Sequence, residues 1–178
     1  SYETCQYLEA KNNITKAIKL GIHTPYSYYL AGLIHDKISI PKEAVQFYLK
    51  SLALAPNAAT HSNLALTYAA LGEEKKAKHA FNASLRLAPD TATVLHNYGC
   101  FLTRTGDHLQ SRQLLEKVLD AHPHMLPTLS AYHYNELFDS SSIGPKQEQR
   151  LESFTTTAAT HYPELPGIQP LTSQGPLR

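Results

Sequence analysis

Small and apolar residues recur along this chain at spacings of four and then three residues. The clearest sets are Ala44 with Tyr48 and Ser51, Ala77 with Phe81 and Ser84, Ser111 with Leu115 and Val118, and Ala10 with Ile14 and Ala17. These spacings place the members of each set on one face of an α-helix, where they can pack against a neighbour. The pattern therefore predicts a series of amphipathic helices and an all-α fold.

A second amphipathic helix precedes the sets that begin at Ala44, Ala77 and Ser111. Its small residue, which is Gly32, Ala65 or Gly99, would let the two helices of a pair approach closely. Gly72 and Gly106 lie between the helices of their pairs, where a helix end often needs a residue in the left-handed conformation. The sequence thus predicts helix–turn–helix pairs.

Each pair ends at a proline, and these prolines define a repeat length. The triplets are Leu54-Ala55-Pro56, Leu87-Ala88-Pro89 and Ala121-His122-Pro123, about 33 to 34 residues apart. A fixed period of this size is typical of stacked helical arrays, in which each unit buries its apolar face against its neighbours. Because such arrays present an extended surface, we expect function to reside in a groove rather than in a closed pocket.

The residues of these pairs resemble the tetratricopeptide repeat, a helix–turn–helix unit of about 34 residues. The matching positions are Asn63-Leu64-Ala65 with Tyr68, Gly72, Ala77, Phe81 and Pro89; His96-Asn97-Tyr98-Gly99 with Gly106 and Pro123; and Tyr28, Gly32, Ala44, Tyr48 and Pro56. Pro41 stands near the start of a second helix, where proline is tolerated. The resemblance covers about residues 1 to 125 and implies a right-handed α-solenoid.

The repeat length also predicts the domain boundaries. Three complete units span residues 25–57, 58–91 and 92–125. Residues 1–24 are expected to form the second helix of a partial unit, which suggests a fragment or a trimmed N-terminus. Residues 126–162 are expected to form a degenerate capping pair, with helices over Leu126 to Phe138 and Lys146 to about His161 and a loop over Ser140 to Pro145.

Composition narrows the class of partner. The chain has 16 basic residues against 15 acidic ones, with no basic stripe, which argues against nucleic-acid binding. No segment approaches the roughly 20 apolar residues of a membrane span, and no signal peptide is visible. Cys5 and Cys100 fall three repeats apart, beyond disulfide reach, so we expect two free thiols.

Two groups of side chains could form a metal site or a catalytic pair, but neither matches a known motif of that kind. His122 and His124 are close in sequence, yet they lie at a repeat-ending turn without a carboxylate at ligand spacing. His96 and Cys100 share a helix face, where an imidazolium could lower the thiol pKa, although both residues could simply line the groove. We therefore predict no catalytic residues, no metal, no cofactor and a protein that is not an enzyme.

The tetratricopeptide resemblance implies a binding surface, because the first helix of each unit lines the concave face in that family. The partner-binding positions that it carries over are Tyr26, Tyr29, Leu33, Asp36, Asn63, Leu66, His96, Asn97 and Arg104. Asn63 and Asn97 hold the same position in successive units, and an Asn side chain can both donate and accept hydrogen bonds from an extended peptide, unless it is there for local helix reasons. Tyr26 and Tyr29 are typical of interface hot spots, unless they belong to the core of the first unit.

One known use of the family does not fit this chain. Co-chaperones of the heat-shock proteins share a carboxylate clamp of Lys, Asn and Arg across three units. Only Asn63 matches that clamp here, since Tyr29, Leu33, Thr93 and Asn97 occupy the other positions. We therefore do not predict chaperone binding through a clamp.

A narrower resemblance covers about ten residues. Asn97-Tyr98-Gly99-Cys100-Phe101-Leu102 with Gly106 is similar to a segment of the type IV pilus pilotins, which are tetratricopeptide lipoproteins. It implies a protein of the periplasm or outer membrane that helps a pilus or secretion complex to assemble. We predict a non-catalytic scaffold that binds a protein or an extended peptide; the alternative is a substrate-recognition domain of a larger enzyme.

The C-terminal residues 163–178 form a proline-rich tail. Leu165, Ile168 and Leu171 recur at a spacing of three, which would align them on one edge of a polyproline II strand. Such a strand could occupy an apolar groove of its own chain or of a neighbour and so produce a homo-oligomer. The alternative is that the tail is disordered.

Overall fold

A computed structural model describes residues 2–136, 138 and 145–161 of the chain. In these residues nine helices follow one another: α1 (Tyr2–Lys19), α2 (Pro25–Lys37), α3 (Pro41–Leu54), α4 (Ala58–Ala70), α5 (Glu74–Leu87), α6 (Ala92–Arg104), α7 (His108–Ala121), α8 (Leu126–Glu136) and α9 (Pro145–His161). The described part contains no β-strand, so the predicted all-α class is confirmed. The chain divides into two compact units, which we call the first unit (residues 1–94) and the second unit (residues 95–178). The predictions for the tail at 163–178 and the loop at 140–144 lie outside the described residues.

Prolines and capping side chains define where helices begin. Pro25 and Pro41 occupy the first turns of α2 and α3, where the missing N–H removes no helical hydrogen bond. Thr24 and Ser27 form a capping box at α2, each hydroxyl accepting a 3.0 Å hydrogen bond from the other residue's backbone N–H. Helix α2, which carries several predicted binding residues, therefore starts at a fixed point.

The predicted apolar faces form the core of the first unit. Ala44 and Tyr48 on α3 and Ala77 and Phe81 on α5 are 0% exposed. Helix α2 packs on α3, α3 on α4 and α4 on α5. A Cβ atom at Gly32 would lie 2.5 Å from Cε1 of the buried Tyr48 ring. Helices α2 and α3 can therefore approach this closely only because residue 32 has no side chain.

The turns inside the pairs need one residue with positive φ. Gly72 (φ 75°) and Gly106 (φ 86°) supply it between α4 and α5 and between α6 and α7. Between α2 and α3 the same conformation falls on Ser39, with φ 60°. A Cβ atom makes the left-handed region unfavourable, so this turn is strained relative to the other two.

Replacing Ser39 by Gly should therefore stabilise the protein. Removing the left-handed penalty of about 1–2 kcal/mol is partly offset by the greater flexibility of glycine in the unfolded chain. We expect a net gain of about 0.5–1 kcal/mol in the free energy of unfolding, measured by urea denaturation. The matched change Gly72→Ala, whose Cβ would meet nothing within 4 Å, should destabilise. A Ser39→Gly variant that is less stable than the wild type would contradict the turn geometry.

The second unit has its own apolar core. Leu115 and Leu119 on α7 pack with Leu129 and Tyr132 on α8, and all four are at most 3% exposed. A Cβ atom at Gly99 would lie 2.7 Å from Cδ2 of Leu115, which repeats on α6 and α7 the close approach of α2 and α3.

A buried asparagine joins α8 to the turn between α6 and α7. Asn135 is 0% exposed. Its Oδ1 accepts hydrogen bonds from Thr103 Oγ1 at 3.1 Å and from His108 Nδ1 at 2.9 Å, and its Nδ2 donates to the His108 carbonyl at 3.0 Å. Since Ser111 Oγ lies 2.7 Å from Thr103 Oγ1, the bonds form one polar network inside the unit.

Helix α9 is attached to the second unit by an arginine. Arg150 is 8% exposed, and its Nη1 and Nη2 lie 3.0 Å from Glu116 Oε1 and 2.8 Å from Asp120 Oδ1 on α7. Its guanidinium carbon stands 4.9 Å from the centre of the Tyr132 ring, and Ala158 on the same helix is buried. Both predicted helices of the C-terminal pair are therefore present.

Candidate functional site

Two of the predicted binding residues of α2, Tyr26 and Tyr29, line a pocket in the first unit. Its volume is about 320 Å³, and its walls include Pro25, Tyr26, Tyr29, Pro56, Ala59 and Thr60. We call it the tyrosine pocket. The Tyr26 and Tyr29 ring centres lie 6.3 Å apart, and Tyr26 is 66% exposed although its ring is apolar. Tyr26 therefore projects to the surface rather than into the core.

A hydrogen bond joins two of the predicted residues across successive repeats. Asn63 Nδ2 on α4 donates to the Tyr29 hydroxyl oxygen on α2 at 3.2 Å. Within the described part of the chain, this bond leaves one acceptor, Asn63 Oδ1, and one donor, the Tyr29 O–H, without a further hydrogen-bond partner. Because a peptide unit also offers one donor and one acceptor, the pair is complementary to the backbone of a bound chain.

The Asp36 carboxylate is engaged inside the first unit. Its Oδ2 accepts hydrogen bonds from the Tyr48 hydroxyl at 2.7 Å and from Thr67 Oγ1 at 2.8 Å, which links α2 to α3 and α4. Burial raises the pKa of the Asp36 carboxyl, although both hydrogen bonds act in the opposite direction. The structure therefore gives Asp36 a role in fixing the first helices beside each other.

The two leucines predicted to bind a partner lie on α2 and α4. Leu33 is half-buried, and Leu66 is 39% exposed. Leu66 stands three residues after Asn63, a spacing that places both on one helix face. An apolar side chain thus accompanies the polar pair.

His96 and Cys100 are neighbours in the second unit, as their spacing predicts. The Cys100 sulfur, which is a free thiol, lies 3.7 Å from His96 Nε2, and His96 Nδ1 lies 3.0 Å from Thr128 Oγ1. Burial lowers the pKa of His96 and raises the pKa of Cys100. Both shifts favour the neutral forms, whereas a nucleophilic pair needs a thiolate beside an imidazolium. The side chain of Cys5 lies outside those that the structure describes.

Asn97 and Arg104 occupy the remaining predicted positions on α6. Asn97 is half-buried. Arg104 is exposed, and its guanidinium carbon stands 5.9 Å from the centre of the Phe101 ring. Both residues belong to the second unit, and their contact with a partner remains a prediction.

A second pocket, which the sequence reasoning missed, lies beside Arg104. It has a volume of about 580 Å³ and is lined by Cys100, Arg104, His108, Ala131, Tyr134 and Phe138. We call it the aromatic pocket. Tyr134 and Phe138 are 56% and 54% exposed, and the Phe138 ring stacks on His108 at 5.2 Å. The signal in the sequence was the pair of aromatic residues four apart, Tyr134 in α8 and Phe138 just after it.

We also searched the described residues for a metal site and for a membrane-spanning helix. Within them, no three His, Cys, Asp or Glu side chains are grouped as metal ligands would be. His124 Nδ1 lies 3.4 Å from Ser153 Oγ. None of the described helices combines the length and the apolar character that a membrane crossing needs.

The helices form pairs that approach closely at small residues, and a hydrogen bond joins the first helices of two successive pairs, α2 and α4. This arrangement defines a helical-repeat protein. Tetratricopeptide repeat models match residues 25–57 and 57–124, which together make up more than half of the chain. The chain belongs to the tetratricopeptide repeat family. No curated protein sequence matches it.

Solved structures show the same fold. MamA from Desulfovibrio magneticus is similar with a TM-score of 0.73 and 16% identity, covering 89% of this chain and 87% of that one. YrrB, a tetratricopeptide repeat protein with an unusual peptide-binding site, has a TM-score of 0.66 at 16% identity, with 92% and 81% covered. PilW, a widely conserved type IV pilus biogenesis factor, has a TM-score of 0.72 at 14% identity, with 89% and 71% covered. At these identities the likeness establishes the fold.

Proposed function

We propose that this protein is a non-catalytic scaffold that holds an extended peptide segment of a protein partner on the first helices of its repeats. The observation that carries the proposal is the hydrogen bond of 3.2 Å between Asn63 and Tyr29. Among the residues that the structure describes, Asn63 Oδ1 and the Tyr29 O–H have no further hydrogen-bond partner, and recognition of a backbone amide needs one such acceptor and one such donor.

The surroundings of this pair suit an extended chain. Successive side chains of an extended peptide point to opposite sides, so a residue next to the bound amide can enter the tyrosine pocket. The pocket walls are tyrosine, proline, alanine and neutral polar residues, which favours an uncharged side chain there. Tyr26 and Leu66 add exposed apolar surface, as interface anchors do.

The second unit offers the equivalent surface on α6. Asn97 stands at the same repeat position as Asn63, and the predicted ligand contacts His96 and Arg104 are on the same helix. Burial favours the neutral state of His96, whose ring nitrogens face Cys100 and Thr128, so a ligand would contact the ring without meeting a charge. In this proposal α6 contacts a partner segment in the second unit, as α2 and α4 do in the first.

The most specific form of the proposal is an assembly factor for a pilus or secretion complex, in the periplasm or at the outer membrane. Its support is the likeness to PilW together with the motif from Asn97 to Gly106. Co-purification of a pilus or secretin subunit with the wild-type protein would support this form. Recovery of other proteins alone would contradict it.

Replacing both Asn63 and Asn97 by Ala should weaken peptide binding with little change in the fold. Each lost hydrogen bond typically costs about 0.5–1.5 kcal/mol, so the double variant should bind roughly tenfold or more weakly. The measurement is the dissociation constant, by calorimetry, of the tightest peptide from a random display library. Circular dichroism should show wild-type helicity.

The control is Asn82→Ala, because Asn82 is an exposed asparagine on the second helix α5 of the same family repeat. It should leave the dissociation constant unchanged. Equal affinity of the wild type and the double variant would place the binding site elsewhere on the molecule.

A further inference from the structure

The aromatic pocket has the composition of a recognition site rather than of an ordinary surface hollow. The Tyr134 and Phe138 rings stand edge to face with their centres 5.3 Å apart, and both are more than half exposed. Exposed aromatic rings are costly in water and are enriched at interfaces. A volume of about 580 Å³ leaves room for a further large side chain against them.

A cation stands at the edge of the same pocket. Arg104 is exposed, and its guanidinium carbon stands 5.9 Å from the centre of the Phe101 ring. A guanidinium group presents a planar fork of N–H donors that matches a carboxylate in two hydrogen bonds. The pocket thus places a carboxylate-binding group next to an aromatic wall.

His108 and Asn135 fix the position of the Phe138 ring in this pocket. His108 Nδ1 donates to Asn135 Oδ1 at 2.9 Å, and the Phe138 ring lies nearly parallel to the His108 ring, at 11°. Because Asn135 is fully buried, the network fixes His108 and thereby the ring that stacks on it. A site built on fixed side chains loses less entropy when a ligand binds.

From these contacts we infer that the aromatic pocket binds a short peptide segment of a partner in which an aromatic side chain stands next to a carboxylate. The aromatic side chain lies against Tyr134 and Phe138, and the carboxylate accepts from Arg104. This inference rests on the proposed peptide-binding function and names the ligand chemistry of its second unit.

Tryptophan fluorescence offers a direct test, because the chain contains no Trp and a Trp in the peptide reports alone. The probes are a capped peptide with an internal Trp-Asp pair and a matched peptide with Trp-Asn. The wild type should bind the Trp-Asp peptide about tenfold more tightly, since hydrogen bonds to charged groups are stronger than neutral ones. Arg104→Gln should abolish that preference, and Arg104→Lys should keep part of it.

Two further variants test the aromatic wall. Tyr134→Ala should weaken the Trp-Asp peptide about tenfold, whereas Leu109→Ala, which removes another exposed apolar side chain of the same unit, should not. A peptide ending in Trp with a free carboxylate, compared with its amide, shows whether a chain terminus can supply the same group. A free-terminus preference that depends on Arg104 supports the inference equally.

Equal affinity for the Trp-Asp and Trp-Asn peptides, or wild-type affinity in Tyr134→Ala, would overturn the inference. The Asn63→Ala variant should bind the Trp-Asp peptide normally, since Asn63 belongs to the first unit. If no Trp peptide binds while the library peptide still depends on Asn63 and Asn97, this inference is wrong and the proposed function stands.

Discussion

Replacing Ala77 by Leu is expected to destabilise the protein by about 1–3 kcal/mol. Ala77 is 0% exposed on α5, which packs on α4, and Phe81 on α5 and Ala65 on α4 are also 0% exposed. A larger side chain has no space there, so it must push the helices apart or adopt an unfavourable rotamer. Urea denaturation followed by circular dichroism measures the change.

The control for this prediction is Lys75→Leu on the same helix. Lys75 is exposed, so the added apolar side chain should change the free energy of unfolding by no more than about 0.5 kcal/mol. An Ala77→Leu variant that unfolds at the wild-type urea concentration would show that the packing of α4 and α5 is not as described.

Replacing Asn135 by Ala should destabilise the second unit by about 2–3 kcal/mol. Asn135 is 0% exposed, and its loss leaves the Thr103 hydroxyl, the His108 ring and the His108 carbonyl without the partners that they have now. An unsatisfied buried polar group costs about 1–3 kcal/mol, and the small cavity adds to that cost. Thermal denaturation should show a lower midpoint.

Asn82→Ala again provides the matched control, because that asparagine is exposed and its loss should be nearly neutral. In Asn135→Ala we also expect weaker binding of the Trp-Asp peptide, since His108 would no longer be fixed. Unfolding of Asn135→Ala at the wild-type temperature would mean that the network contributes nothing.

The sequence predicted the parts of the fold that depend on short-range periodicity. Tyr48, Phe81 and Leu115 recur at fixed positions of their helices, and all are buried where the spacing places them. The prediction that Gly32 and Gly99 permit close helix approach is confirmed by the 2.5 Å and 2.7 Å that a Cβ atom would leave to the facing side chains. Such features follow from the helix repeat, which sequence shows directly.

The features that the sequence did not predict depend on residues about thirty positions apart. The hydrogen bond that the Asp36 carboxylate accepts from Thr67 on another helix is one example, while the contact of Asp36 with a partner stays a prediction. The Asn63–Tyr29 bond and the pairing of Arg104 with Tyr134 around one pocket arise in the same way. Helical spacing gives the face of each residue, whereas these contacts depend on how the helices lie beside each other.

The side-chain amide signals of Asn63 and Asn97 in a nitrogen-15 NMR spectrum test the central claim most directly. At 19.8 kDa the protein is suited to this measurement. Addition of the library peptide should shift both signals and the backbone signals of α2, α4 and α6, while the Asn82 side-chain amide should stay in place. Shifts at Asn82 and along α3, α5 and α7, with Asn63 and Asn97 unchanged, would contradict binding on the first helices.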